Sequence, residues 1–340
     1  MSDTTATTAR FTRFARWTMA VLLAVIVWGA LVRASGSGAG CGSHWPLCNG
    51  RVVQRAPSVE TLIELSHRLT SGLAMLMVGG LVVLAFKSFP RGHCARRYAG
   101  WTLVFMLGEA AVGAGLVLFE LVADNASMAR AMFMAAHLVN TFFLLGALTL
   151  TLETAERGDG MRWRGLWPFA QPGRGLVARL LAPALAGTIL LGASGAVAAL
   201  GDTLFPAGSL RQAIGQDLSA SSHLLIRLRL AHPAIAVVVC VWLLLVAAAT
   251  RRDHDAGQAA AGALAWARRL SVAIFAQVTL GLLNVVLLAP IALQLAHLLV
   301  ADLLWIALVA LMAAVLCPTS TGTSSANAGG SLTATQTVAS

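Results

Sequence analysis

Eight times along its length this chain repeats an apolar stretch long enough to cross a bilayer, and that recurrence limits what it can fold into more than any other feature. Crossing about 30 Å of hydrocarbon takes roughly 20 apolar residues in a helix. Such stretches fall near residues 17–34, 62–86, 98–119, 130–151, 178–200, 228–250, 267–289 and 292–316. With 58% hydrophobic and 11% charged side chains, the 340 residues have too little polar surface to coat a soluble globule. The expected fold is an all-α integral membrane protein of eight transmembrane helices. The first stretch follows Arg10, Arg13 and Arg16 and shares the charged start of a signal peptide. It is read as a retained span because the fifth stretch resembles it.

A net charge of +10 invites a nucleic-acid partner, but the basic residues are spread over loops on one side of the membrane, and topology explains them better. With the N-terminus inside, the inner segments carry 16 of the 24 Lys and Arg, the outer loops seven, and Arg68 lies within a span. This predicts a multi-pass protein of the cell (inner) membrane with both termini cytoplasmic. The segments 1–16 and 317–340, dominated by small and polar residues at their extremities, are expected to be disordered cytoplasmic tails.

The chain reads as a duplication. Laying Gly29-Ala30-Leu31-Val32 over Gly195-Ala196-Val197-Ala198 sets an offset of 166, which carries His67 to within one residue of His232. His137 follows His67 by 70 residues and His297 follows His232 by 65. Each half therefore presents one histidine on its second helix and one on its fourth, in two pseudo-symmetric four-helix bundles of parallel orientation, residues 17–152 and 178–316. The basic, Gly- and Pro-containing stretch 153–177 is the expected cytoplasmic linker.

A histidine inside a span is costly to leave unpaired and faces the bundle interior. Each of the four is expected within about six residues of its helix's outer end, roughly 9 Å down at about 1.5 Å per residue. Two helices facing each other at one depth can offer imidazole nitrogens to both faces of a haem, so His67, His137, His232 and His297 are candidate axial ligands for two haem irons. Zinc fits less well, since its ligands cluster compactly. His93 and His254 are expected in solvated cytoplasmic loops, and His44 and His223 at the outer surface.

The halves differ beside the first histidine. Glu64 lies one turn before His67, and Arg68 follows it; the matching residues are Arg229 and Pro233. One reading is an intrahelical Glu64–Arg68 ion pair. The other makes Glu64 an acid or base at a haem edge, with Arg68 on a haem propionate. Glu109 and Asp302 are expected to serve interior hydrogen bonding. Between the first two spans, Cys41 and Cys48 sit in a Gly-rich outer loop where oxidising conditions allow a disulfide, either a staple or a pair exchanging with an external thiol carrier.

These residues resemble the haem A synthase family: the Cys41 to Cys48 loop with Trp45-Pro46-Leu47, Glu64-x-x-His67-Arg68, Ala136-His137, Ala231-His232-Pro233 and Ala296-His297-Leu298-Leu299. The resemblance runs from about residue 17 to 316. It implies conversion of haem O to haem A by oxidation of a porphyrin methyl group to a formyl group, through two hydroxylations and loss of water. It also implies that His67 and His137 hold the substrate haem and His232 and His297 a haem b. Glu64 would manage protons, electrons would pass through the C-terminal haem to or from an unidentified partner, and a haem O synthase would hand over the substrate. A homo-oligomer is compatible with this reading. Two rivals stand beside it: a di-haem b-type electron-transfer protein, which needs the histidines but not Glu64, and a transporter, for which paired halves are common.

Overall fold

A computed structural model of the chain describes residues 2–51, 55–157, 175–219, 221–257 and 259–316. Ten α-helices account for most of the described residues: α1 (Ser2–Ala34), α2 (Val59–Ser88), α3 (Cys94–Leu118), α4 (Met128–Arg157), α5 (Leu176–Leu204), the short α6 (Leu210–Leu218) and α7 (Leu224–Arg229), then α8 (Ala231–Asp255), α9 (Ala261–Val286) and α10 (Ile291–Leu316). Eight helical segments are long and apolar enough to cross a membrane, with α7 running into α8 as one of them. The protein is thus an all-α, multi-pass membrane protein. Lipid, which cannot satisfy backbone polar groups, requires spans of this kind.

Local chemistry sets several boundaries. The Ser58 hydroxyl accepts from the Thr61 amide at 3.2 Å and starts α2, while Pro90 follows the extended Phe89 that ends it. His93 starts α3 by accepting the Ala95 amide at 3.1 Å. Ser209 starts α6 in the same manner, and the Gln212 side chain reaches back to the Gly208 amide.

Helix faces sort by solvent. On α2, Leu62, Leu69, Leu73, Leu76 and Val83 form an exposed stripe, whereas Ala74, Val78, Leu81 and Ala85 are buried. A helix apolar on both faces fits a hydrocarbon surround on one side and protein on the other. Within the first half α1 packs on α2, α2 on α3, α3 on α4, and α4 back on α1. The second half closes likewise through α5, α8, α9 and α10. The seam is formed by α4 and α1 against α5 and α10, and α10 is the most deeply buried of the spans.

Two features fasten that seam. Midway along it Trp305 on α10 stacks on Phe142 of α4, centroids 5.0 Å apart, and its indole N–H donates to the Phe142 carbonyl at 2.5 Å. Gly146 and Gly192 leave room for the two rings: a Cβ at Gly192 would lie 2.6 Å from Phe142. At the end bearing the cysteine loop, Arg33 of α1 donates to the Ala199 carbonyl, the Thr203 hydroxyl and the Gln294 amide oxygen, at 2.7, 2.6 and 2.9 Å.

Three expectations need correction. Residues 2–16 are not a disordered tail but the first half of α1, and Phe11 and Ala15 are buried in the core. Their small polar neighbours are tolerated because an apolar residue returns every turn to face α2 and α4. Nor does the linker begin at 153: α4 continues to Arg157, with Glu153 buried and paired to Arg157 at 2.7 Å. Most of the expected linker and all of the 317–340 tail lie outside the described residues. His93 is not solvated either; it is buried and stacks on Phe89 with centroids 4.4 Å apart.

Candidate functional site

Each of the four histidines sits in a span, six to nine residues from its start: His67 is eight after Val59, His137 nine after Met128, His297 six after Ile291, and His232 eight after Leu224 of α7. His297 meets the expected six residues, and the other three lie two or three residues further from the helix start, because those helices begin before the apolar stretches do.

The same packing recurs at the first histidine of each half. A Cβ on Gly29 of α1 would lie 3.0 Å from His67 Cε1 and 3.1 Å from Nε2. On Gly195 of α5 it would lie 3.0 Å from His232 Cε1. The Gly-Ala strings that align in the sequence are therefore the surfaces against which these rings rest. Gly281 of α9 plays a like part for His297, with Cε1 3.3 Å from its Cβ position.

Partners of the rings differ. His137 Nδ1 lies 2.9 Å from Glu109 Oε2 of α3. The other Glu109 oxygen accepts from Asn140 at 2.6 Å and Thr141 at 3.1 Å, and Asn140 also donates to the Phe105 carbonyl. Gly108 must lack a side chain for this, since a Cβ there would meet the Asn140 amide at 2.7 Å. His232 Nδ1 shares a hydrogen bond with Ser194 Oγ at 3.1 Å. His297 Nε2 lies 3.1 Å from the Gln277 amide nitrogen. The buried Nδ1 atoms of His67 and His297 have no hydrogen-bond partner among the described residues, and that of His137, though 2.9 Å from Glu109, lies outside hydrogen-bond geometry.

This donor set fits a haem. At His232 the bond between Nδ1 and Ser194 leaves Nε2 for a metal, the arrangement that fixes a metal-ligating imidazole, and at His137 Nδ1 faces the Glu109 carboxylate at 2.9 Å. His67 rests its Nε2 edge on a glycine, where a side chain would intrude on a flat ligand. At His297 the Gln277 amide must release Nε2 before it can take iron.

Glu64 and Arg68 are brought together with the cysteine loop. The sulfurs of Cys41 and Cys48 lie at bonding distance, 2.00 Å. Glu64 is buried; Oε2 accepts from the Cys41 amide at 2.8 Å and Oε1 from Arg68 Nε at 3.1 Å. Arg68 in turn donates to the carbonyls of His44 and Leu47 at 2.7 and 2.8 Å. Gly40 meets the start of α2 so closely that a Cβ there would lie 2.5 Å from the Glu60 backbone. The intrahelical ion pair is present, and its outward reach is a clamp on the loop.

The second half has a counterpart with the charge reversed. Arg229, at the position matching Glu64, donates to Asp217 of α6 at 2.6 and 3.0 Å and to Asp202 of α5 at 3.1 Å. One position, negative in one half and positive in the other, ties the adjoining loop to its bundle.

Sequence reasoning undervalued Glu109, whose tie to His137 shows only once α3 and α4 are placed side by side. It missed Ser194, Gln277 and the glycines at the rings, although Gly29 and Gly195 were already aligned. Asp302 is wholly buried, yet neither carboxyl oxygen has a hydrogen-bond partner among the described residues, against the expectation of interior hydrogen bonding. His44 and His223 are exposed as expected.

A protein named protoheme IX farnesyltransferase from Thermus thermophilus is 45% identical over 314 residues, 91% of this chain but 49% of the relative. The same name, identity and coverage recur in a second strain of that organism. The chain spans about half the length of these relatives. A heme A synthase of Bacillus mycoides is 43% identical over 111 residues, 32% of this chain and 36% of that protein. The family model COX15-CtaA, cytochrome oxidase assembly protein, matches residues 12–309, so the chain belongs to the COX15-CtaA family, the heme A synthase family.

Proposed function

We propose that this protein is a haem A synthase, oxidising a methyl group of haem O to the formyl group of haem A. The observation that carries the reading is the pair of histidines in each half, on its second and fourth spans, with three of the four rings resting on glycine. Family membership and the synthase name of the Bacillus relatives support it. So does the chemistry: no side chain oxidises an unactivated methyl group, and an iron porphyrin supplies that redox power when bound.

In this reading His67 and His137 hold the substrate haem, and His232 and His297 hold a haem b. Glu109 orients His137, and Ser194 orients His232. Glu64 and Arg68 bind the cysteine loop over the end of the first half and so exclude water from the ring of His67. Glu64 is the residue of choice for handling a proton there, should the loop lift. Cys41 and Cys48 form a staple that keeps the loop compact. The protein lies in the cell membrane with the cysteine loop outside and both termini in the cytoplasm. Its substrate arrives from a haem O synthase; the Thermus relatives, twice as long and named for farnesyl transfer to protohaem, favour such a partnership.

The deciding experiment co-expresses the chain with a haem O source and separates the extracted haems by chromatography. Haem A is expected. Folded protein carrying haem O but yielding no haem A would refute the synthase reading and leave the di-haem electron-transfer protein. Protein with no haem absorbance would point instead to the transporter. Glu64→Ala that retains haem O and loses haem A would place Glu64 in the reaction.

A further inference from the structure

The residue contacting the last histidine of each half sits at one position of the duplication. Glu109 and Gln277 each stand nine residues before the end of their helices, α3 and α9. Those ends are built alike. Phe119 donates to the Gly115 carbonyl and Leu121 to that of Leu116; Leu287 donates to Leu283 and Ala289 to Asn284. Glu120 and Leu288 take the same left-handed backbone, φ 54° and 59°. Register therefore pairs Glu109 with Gln277, and each contacts the histidine of the following helix. The halves differ here by a charge: a carboxylate on His137, a neutral amide on His297.

The geometry points to Glu109 as a positioning residue that sets the two haems at different reduction potentials. This rests on the haem reading above. A carboxylate brought against Nδ1 of an axial imidazole increases its electron donation through Nε2 and, by its negative charge, favours the oxidised iron, whereas the neutral amide of Gln277, which stands at Nε2 of His297, brings no such charge. The haem held by His67 and His137 then has the lower potential of the two. The built character of the contact supports this: Asn140 and Thr141 hold Glu109 from the other side, and Gly108 makes the space for Asn140. Such support is superfluous for a carboxylate that merely fills space.

The test is a spectroelectrochemical titration of the purified full-length protein carrying both haems, after haem content has been measured. Two redox components are expected. Glu109→Gln should raise the lower one by about 59 mV or more, a tenfold change in its oxidised-to-reduced ratio, and leave the upper in place. Glu109→Asp, which draws the carboxylate back from His137 Nδ1 by one methylene, should raise the lower one by a smaller amount. A Glu109→Gln protein with both haems and unmoved potentials overturns the proposal, as does a shift shared equally by both components. If Glu109→Gln sheds its haem, the Glu109→Asp titration decides by itself, and an unmoved lower component overturns the proposal. Wild-type protein with fewer than two haems would instead sink the haem reading on which it rests.

Discussion

Replacing Gly29 with alanine sets a methyl carbon 3.0 Å from His67 Cε1 and 3.1 Å from Nε2. Carbon atoms prefer about 3.5–4.0 Å, so one partner has to retreat by about half an ångström. Helix α1 is poorly placed to do so, because the indole N–H of Trp28, one residue away, is bonded to Ser66 Oγ at 3.0 Å and ties α1 to α2 at that level. The imidazole must turn instead. A rotation of ~30° off a rotamer costs about 0.5–1.5 kcal/mol, and about 1.4 kcal/mol is tenfold in an equilibrium constant. Haem affinity in the first half should fall about two- to tenfold, and Gly29→Val, with two further methyls, should abolish it. Gly195→Ala meets His232 at the same 3.0 Å and should weaken the other half equally. The assay is haem titration of apoprotein in detergent followed by absorbance, with monodisperse elution as the check on folding. Undiminished binding by folded Gly29→Val protein would refute the idea that this glycine makes room for a haem ligand.

Other outcomes follow from the same structure. Glu64→Gln leaves the half-buried Arg68 without its counter-charge, side chains that are only 4% and 12% exposed in the native pair. A loss of about 3–5 kcal/mol is expected, read as a lower unfolding temperature and faster proteolysis between Cys41 and Cys48. Arg229→Leu strands Asp202 and Asp217 in the same manner, and protease should then cut near α6; resistance equal to wild type would deny the clamp. Cys41→Ser opens a loop of sequence separation 7, worth about 2–3 kcal/mol by chain entropy. That variant should still bind haem, whereas a required thiol exchange would cost it activity at full haem content. Trp305→Ala removes a buried ring from the seam, with an expected loss of about 3–5 kcal/mol; Trp305→Phe should keep most of the packing and lose only the bond to the Phe142 carbonyl, about 1 kcal/mol.

The spans and the four histidines were readable because length and hydropathy alone define a crossing, and a histidine in lipid must have a purpose. What lay beyond reach depended on helix rotation and on contacts between helices. Glu109 is 28 residues from His137 and looks like any carboxylate in a span until α3 turns it towards α4. Arg229 read as a lost carboxylate; only its distances to Asp202 and Asp217 show that it performs the clamp with inverted charge. The helical start of α1 was hidden by threonines that suggest disorder, since the buried Phe11 and Ala15 carry too little apolar mass to register in a window. The glycines at the rings were seen as a repeat and not as a fit, because a sequence does not show what lies opposite a missing side chain.

The seam between the halves bears on traffic. Arg33 binds it at one end through three hydrogen bonds, and the Trp305–Phe142 stack binds it midway. Parting the halves would break all of these at once inside a medium that offers no replacement partners. The haem O substrate proposed above would therefore be better admitted sideways from the lipid between two helices of one half. In that case the bilayer itself is the corridor along which substrate and product travel, and the two halves keep a constant spacing throughout.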